Sequence, residues 1–145
     1  MKLSTRSRYG LRFAFSLAMN KRETPLQLSQ VSAQEGISEK YLGHIASQLR
    51  VAGIVQSERG ARGGYFLTRI PEEITILEVV ECLEGGLSLV DCTEDPVECG
   101  RESVCAANEI WRILSEKVKE TLAELTLGDL VAIHHRKTQN MDFMI

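Results

Sequence analysis

Three closely spaced cysteines in the second half of the chain are the residues best suited to chemistry. Cys92, Cys99 and Cys105 fall within fourteen residues and are separated by six and then five others. The segment is acidic, contains Pro96 and Gly100, and lacks helical or strand periodicity, so we expect a loop. A loop with three thiols is typical of a soft-metal or iron–sulfur site. Structural zinc, a disulfide with a spare thiol and a chance cluster of surface thiols are the alternatives.

The bulk composition is that of one globular domain, or of a small domain with an appendage. The chain has 145 residues, of which 43% are hydrophobic and 26% charged, so a core can form. No apolar run approaches the ~18 residues of a membrane span, and arginines are scattered where a signal segment would be apolar. We therefore expect a cytoplasmic protein that does not bind membranes. In that compartment clustered cysteines more often bind metal than form disulfides.

Charge is distributed unevenly between the two halves of the chain. Residues 1–70 contain eleven Lys and Arg against four Asp and Glu, whereas residues 71–145 contain six against sixteen. The halves therefore carry net charges of +7 and −10. A basic half joined to an acidic half is expected of a nucleic-acid-binding module with a separate regulatory or assembly region. Accidental bias between two solvated surfaces is the alternative.

Helical patterns in the first third of the chain predict a helix-turn-helix. Apolar residues at four-residue steps predict a first helix over residues 5–19. A short second helix is predicted over 27–35 and ends at Gly36. Ser38 is a suitable N-cap for a third helix that runs to about Val51. This order of elements is that of a DNA-binding helix-turn-helix, although other pairs of amphipathic helices show the same pattern.

The stretch that follows the third helix predicts a wing. Residues 54–68 have β-prone ends around a tip rich in glycine and arginine, which is the pattern of a β-hairpin. The glycines allow close approach of the backbone to a ligand. Arg59 and Arg62 offer positive charge to phosphates or to a narrow minor groove. A glycine-rich hairpin with solvated arginines is the alternative.

Helices are also predicted on both sides of the cysteine loop. A capping-box pattern at Thr75 starts a short apolar helix that ends at Gly85, and a similar pattern at Thr126 starts a last short helix through Ile133. The pair 134–135, both histidines, is then expected at the end of that helix.

A long helix is predicted over residues 106–125. Its apolar residues are spaced three or four apart, as in a coiled-coil seam. They are Trp111, Leu114, Val118, Leu122 and Leu125. A partner helix across a two-fold axis is expected to cover this seam, and burial within the same chain is the alternative.

Short motifs along nearly the whole chain match one family of regulators. They occupy residues 2–5, 8–10, 37–42, 49–50, 52–53, 59–60, 63–65, 83–85, 111 and 126–130. With them, the chain resembles the IscR–NsrR–CymR family (the Rrf-two family) of bacterial winged-helix regulators. The wing together with the three-cysteine loop is the most specific part of the match.

The resemblance implies a mainly α fold with a small β wing. A winged helix-turn-helix DNA-binding domain is expected over 1–70, a linking helix and cluster-binding loop over 71–105, and a dimerisation helix with a C-terminal tail over 106–145. The implied function is that of a homodimeric transcription factor that binds palindromic operators in double-stranded DNA, with the third helix in the major groove and the wing in the minor groove. The DNA contacts we expect are Ser38, Lys40, Tyr41, His44, Arg50 and Arg59.

The resemblance also implies a cofactor. In cluster-carrying members, three cysteines of this loop hold an iron–sulfur cluster, which maps to Cys92, Cys99 and Cys105. A 2Fe–2S cluster is favoured over a 4Fe–4S cluster. The implied function is a repressor that senses iron–sulfur status, redox stress or nitric oxide. The alternative is a CymR-like repressor controlled by a partner enzyme or by thiol or zinc chemistry. An enzyme is not expected, because no nucleophile–base constellation is present.

Two positions depart from the family pattern for a fourth cluster ligand. Asn108 stands where IscR-type members have a histidine, and Arg8 stands where NsrR-type members have an acidic residue. Gly43 also replaces a glutamate of IscR, so the sequence preference of IscR is not carried over. The fourth ligand is left open among Asp91, Glu98, Glu102, Glu109, a small thiol and water.

Overall fold

The computed structural model describes residues 2–20, 23–93 and 100–144. Within these ranges, helices and two strands follow one another in the predicted order. They are α1 (Thr5–Met19), α2 (Leu28–Glu35), α3 (Glu39–Val51), β1 (Val55–Glu58), β2 (Gly64–Leu67), α4 (Ile76–Glu84), α5 (Ala106–Glu124) and α6 (Leu127–Asp142). Single 3₁₀ turns cover Pro71–Glu73, Asp91–Thr93 and Glu102–Val104.

The predicted helix-turn-helix is confirmed, and local side-chain hydrogen bonds set its helix ends. The hydroxyl of Ser4 accepts from the backbone N–H of Ser7 at 3.2 Å and caps α1. Gly36 ends α2 with a φ of 66°, a left-handed conformation that glycine adopts without a steric penalty. The hydroxyl of Ser38 then accepts from the N–H of Tyr41 at 3.2 Å and starts α3.

The predicted wing is an antiparallel hairpin. Val55 lies opposite Leu67, and Glu58 lies opposite Gly64. A Cβ on Gly63 would lie 2.1 Å from the backbone oxygen of Glu58, so a larger residue does not fit this turn. Strand β2 is fixed to the helices, because the Tyr65 ring lies edge-on against Phe13 of α1 with 5.9 Å between ring centroids.

One hydrophobic core extends across residue 70, where the basic half meets the acidic half. The first half contributes Phe13, Val31, Leu42, Ile45 and Leu49, and the second half contributes Ile74, Val79, Leu83 and Leu127. Helices α1 and α4 pack closely, because a Cβ on Gly10 would lie 2.1 Å from Cδ1 of Leu83. The helix that precedes the cysteine loop is therefore packed directly on the first helix of the DNA-binding region.

Both predicted capping boxes are present, and they lie side by side. Thr75 exchanges hydrogen bonds with Glu78 at the start of α4, and Thr126 does so with Asp129 at the start of α6. The two N-caps also form an antiparallel bridge. Backbone hydrogen bonds of 2.8 Å from Ile76 to Leu125 and of 2.9 Å from Leu127 to Ile74 reinforce it. The starts of these two helices are thus held together by their backbones.

The prediction of a short last helix is wrong. Helix α6 continues to Asp142, so His134 and His135 lie in its middle rather than at its end. Residues 134–142 contain neither glycine nor proline to stop the helix. The half-buried His134 ring lies 5.2 Å from the Phe15 ring, between centroids, and packs α6 against α1.

Every helix in the described ranges is too short or too polar to cross a membrane.

Candidate DNA-binding surface and cysteine site

The exposed side of α3 carries most of the residues predicted to contact DNA. Ser38, Lys40, His44 and Arg50 are all exposed. Arg50 reaches toward the wing, where its guanidinium donates to the hydroxyl of Ser57 at 3.5 Å. The start of α3 therefore presents polar groups to solvent, and its end places a cation beside β1.

The tip of the wing adds two exposed cations. Arg59 and Arg62 lie on either side of Gly60 in the turn between β1 and β2. Neither forms an ion pair with a residue that the structure describes. Their charges are therefore available to phosphates or to a groove of DNA.

Tyr41 differs from the other predicted contacts because it is half-buried. Its ring packs edge-on against Tyr9 of α1, with 5.9 Å between centroids and an interplanar angle of 87°. The guanidinium of Arg12 lies 5.7 Å from the Tyr9 centroid on the same helix. Tyr41 thus joins α3 to α1 while it also borders the surface.

The first residues of α1 lie beside the outer face of α3. This proximity was not predicted from the sequence. Ser4, Thr5 and Arg6 line a shallow depression together with Tyr41 and His44. Backbone N–H groups at a helix start attract anions. In the sequence, the only indications of an anion-binding role here were the charge of Arg6 and the N-cap residue Ser4. Their proximity to α3 could not be predicted, because it depends on how α1 crosses the helix-turn-helix.

Two of the three clustered cysteines lie in the described part of the chain. Cys92 lies in the turn Asp91–Thr93, and Cys105 is the N-cap residue of α5. Both are half-buried free thiols. Cys99 lies outside the described residues. No group of three His, Cys, Asp or Glu side chains suited to a metal ion occurs among the residues that are described.

Two buried polar side chains of α5 hold the segment that contains Cys92. Asn108 is 6% exposed, and its amide nitrogen lies 3.2 Å from the backbone oxygen and 3.7 Å from the sulfur of Cys92. Ser115, which is 7% exposed, accepts from the backbone N–H of Leu89 at 3.2 Å. Because they are seven residues apart, they lie on one face of the helix. The chain from Leu89 to Cys92 is thereby fixed along α5.

The fourth cysteine of the chain is a packing residue. Cys82 lies half-buried on α4, and its thiol donates to the backbone oxygen of Val79 at 3.3 Å. Burial raises the pKa of this thiol to about 11. A thiol that stays protonated at neutral pH is a poor metal ligand.

The other side of α5 carries an uncovered apolar surface. Its large side chains retain 40–54% of their accessible area; they are Ile110, Trp111, Ile113 and Leu114. Leu122, farther along the same helix, packs against the core instead. The N-terminal half of the predicted seam is therefore not buried by the described part of its own chain.

A wing directly after a helix-turn-helix, with exposed cations on both, defines a winged-helix DNA-binding regulator. The family model described as "Rrf2: Iron-dependent Transcriptional regulator" matches residues 3–133. The chain therefore belongs to the Rrf2 family of transcriptional regulators, whose members bind DNA. This result confirms the resemblance inferred from the sequence motifs.

The relatives with similar sequences include regulators named CymR and regulators named IscR. The chain is 39% identical to the HTH-type transcriptional regulator CymR of Bacillus subtilis over 132 residues, which are 91% of each protein. It is 39% identical to Protein rrf2 of Nitratidesulfovibrio vulgaris over 131 residues, 90% of this chain and 87% of that protein. CymR is named as a transcriptional regulator, which confirms the prediction of a regulator rather than an enzyme.

Solved structures confirm the predicted fold class. The structure titled as CymR (YrzC), the global cysteine regulator of B. subtilis, superposes with a TM-score of 0.75 at 38% identity, over 92% of this chain and 98% of that one. The structure of T. potens IscR also has a TM-score of 0.75, at 31% identity over 92% of this chain and 88% of that one.

Proposed function

We propose that the chain is a cytoplasmic repressor whose affinity for its operator depends on an iron–sulfur cluster held by Cys92, Cys99 and Cys105. The observation that carries the proposal is the position of the two described thiols. Cys105 begins α5, and Cys92 is bound to the first turn of α5 through Asn108. The same helix carries the uncovered apolar surface. One proposed ligand, Cys105, and the apolar surface therefore lie on the same helix, and Cys92 contacts that helix through Asn108.

The described residues fit a thiolate-held cofactor. Cys92 and Cys105 are half-buried and form no disulfide, so both sulfurs are available as soft ligands. The position of Cys105 at a helix N-terminus favours negative charge on a ligand there. A cluster, with 2Fe–2S favoured over 4Fe–4S, would supply sensitivity to oxidants, nitric oxide and iron supply.

The proposed DNA-binding surface combines α3, the wing and the start of α1. In this proposal Ser38, Lys40, Tyr41 and His44 of α3 face the major groove, Arg50 contacts phosphate, and Arg59 enters the minor groove. Support comes from the exposure of the polar and cationic members and from the net charge of +7 in residues 1–70. Arg6 is an additional phosphate contact, because it lies beside Tyr41 and His44.

The proposed active form is a homodimer joined through α5. Four large apolar side chains on the N-terminal half of this helix remain exposed in the single chain, and a second copy would bury them. Two helix-turn-helix units related by a two-fold axis would read a palindromic operator with half-sites about 34 Å apart. In this proposal DNA binding is assigned to residues 1–70, sensing to residues 71–105 and dimerisation to residues 106–145. One hydrophobic core nevertheless connects the three regions.

Contacts along α4 support a link between the cysteine segment and the DNA-binding surface. Helix α4 ends three residues before Leu87, and its last residue, Glu84, accepts a hydrogen bond from the backbone N–H of Ser4 at 2.8 Å. Ser4 in turn borders the depression beside α3. A shift of the segment after α4 would therefore be passed to the N-terminus of α1.

A CymR-like repressor without a cluster is the second candidate function. The 39% identity to CymR over 91% of both chains favours it. In that case a protein partner, such as an enzyme, or the redox state of the cysteines controls DNA binding.

Replacement of Cys92, Cys99 and Cys105 together by alanine separates the two functions. Operator affinity of the wild-type and triple-alanine proteins is measured anaerobically, before and after reconstitution with iron and sulfide. The proposed function predicts that reconstitution changes the affinity of the wild type and leaves the variant unchanged. Equal affinities for all four samples would favour control by a protein partner, and circular dichroism verifies that the variant is folded.

A further inference from the structure

Asn108 is placed to act on Cys92 without being a ligand. Its side chain is 6% exposed and lies on the first turn of α5. An amide group has two N–H donors. Here its nitrogen is 3.2 Å from the carbonyl oxygen and 3.7 Å from the sulfur of the same residue, Cys92. Because a carbonyl oxygen only accepts, the amide must direct its nitrogen, not its oxygen, toward Cys92.

We infer that Asn108 is a positioning residue that fixes Cys92 and donates a hydrogen bond to its sulfur when that sulfur holds the cluster. The inference rests on the proposed function, because a cluster must be bound for the sulfur contact to have an electronic effect. The backbone contact sets the conformation of the turn Asp91–Thr93. The sulfur contact lowers the electron density of the ligand.

The direction of the electronic effect follows from charge. Reduction adds one negative charge to a thiolate-held cluster, and N–H donors to its sulfurs stabilise the reduced form. The Asn108 amide therefore makes the reduction potential less negative than it would be without the donor. An amide oxygen ligand to iron would require the opposite orientation of the side chain.

Two replacements of Asn108 test the role, with Ser115 as the control. Asn108→Leu has a similar shape and no donor, and Asn108→Asp keeps an oxygen but loses both N–H groups. Ser115→Ala removes the neighbouring contact with Leu89 and leaves the Cys92 sulfur contact in place. Iron and sulfide content is measured first, and the midpoint reduction potential of each loaded protein is then measured by anaerobic spectroelectrochemistry. Hydrogen exchange of the peptide that contains Cys92 is followed in the cluster-free proteins.

The expected result is a shift to more negative potential in both Asn108 variants, with the Ser115→Ala potential equal to that of the wild type. Faster exchange around Cys92 is expected in the cluster-free Asn108 variants. Unchanged potentials in loaded Asn108→Leu would overturn the sulfur contact. If Asn108→Asp binds a cluster and Asn108→Leu does not, the positioning role is overturned. That result would indicate that a side-chain oxygen at position 108 is a ligand to iron.

The exchange measurement separates failure of this inference from failure of the proposed function. If the wild type binds no cluster, the proposed function fails and the sulfur contact has no cluster to act on. Faster exchange in the Asn108 variants would then still support the anchoring of Cys92, and unchanged exchange would overturn it. If only the Asn108 variants fail to bind a cluster, hydrogen exchange around Cys92 in the cluster-free proteins is again compared with the wild type. Faster exchange in the variants supports the anchoring of Cys92, and unchanged exchange overturns it.

Discussion

The carboxylate of Glu84 accepts a hydrogen bond from the backbone N–H of Ser4 at 2.8 Å, although the two residues are 80 positions apart. Glu84 is the last residue of α4, and Ser4 is the N-cap of α1. The contact therefore joins the helix that precedes the cysteines to the helix start that lies beside α3. It connects the proposed sensing region to the proposed DNA-binding surface.

Replacement of Glu84 by glutamine should make stability less sensitive to acid. Hydrogen bonds from Ser7 and Ser4, with the charge of Arg6, hold the pKa of Glu84 below its ordinary value of 4.5. The ionised group therefore stabilises the fold above the ordinary pKa, and this contribution is lost as pH falls through the lower folded pKa. Urea unfolding at about pH 6 and about pH 3 should show a larger loss for the wild type than for Glu84→Gln. Equal losses in the two proteins would show that Glu84 does not contribute.

Two glycine-to-alanine changes in helices should have opposite effects on stability. A Cβ on Gly10 would lie 2.1 Å from Cδ1 of buried Leu83, so Gly10→Ala should cost about 1–3 kcal/mol of unfolding free energy. A Cβ on Gly43 would lie 3.8 Å from Leu28, an ordinary contact, so Gly43→Ala should stabilise by up to about 1 kcal/mol. Chemical denaturation measures both.

DNA titration of the stabilised Gly43 variant then tests the position of this residue. Weaker operator binding by Gly43→Ala, despite higher stability, would place Gly43 against DNA. Unchanged binding would show that Gly43 does not contact DNA.

Removal of the Arg59 charge should weaken binding to DNA. Arg59 is exposed at the wing tip, so Arg59→Ala should lower operator affinity and reduce the slope of log affinity against log salt by about 0.9 if one phosphate contact is lost. A loss confined to A·T-rich sites would instead indicate that Arg59 reads a narrow minor groove. The control is Arg136→Ala, which removes an exposed arginine from α6. Equal affinities of the two variants would contradict a DNA contact by Arg59.

Introduction of a charge on the apolar surface of α5 should dissociate the proposed dimer. Ile113 and Ile70 are matched in residue type and exposure, at 44% and 42%. Because only Ile113 lies on α5, Ile113→Asp should give monomers in analytical ultracentrifugation and Ile70→Asp should leave the dimer intact. Dimers in both variants would place the interface elsewhere.

Helix ends were predictable from the sequence because short-range hydrogen bonds set them. Thr75 and Thr126 each bond to a carboxylate three residues later, and Gly36 adopts the left-handed conformation at the end of α2. Each signal lies within a window of a few residues. The bridge between Thr75 and Thr126 was not predictable, because it joins residues far apart in the sequence.

The candidate site was predictable in composition but not in arrangement. The spacing of the cysteines predicted that Cys92 and Cys105 belong to one loop. From the sequence, Asn108 was noted only because it stands where IscR-type members have a histidine ligand. The burial of Asn108 against Cys92 could not be predicted, because the two residues are sixteen positions apart and meet only where the chain lies along α5. The same limitation applies to Arg6, whose position beside α3 follows from helix packing rather than from local pattern.

Iron and sulfide analysis of the anaerobically purified protein, with its visible spectrum, tests the central claim most directly. The wild type should be brown, with visible absorbance and comparable amounts of iron and acid-labile sulfide, and the triple alanine variant of Cys92, Cys99 and Cys105 should contain neither. A colourless wild-type protein that contains zinc alone, or no metal, would contradict the claim that these cysteines hold an iron–sulfur cluster.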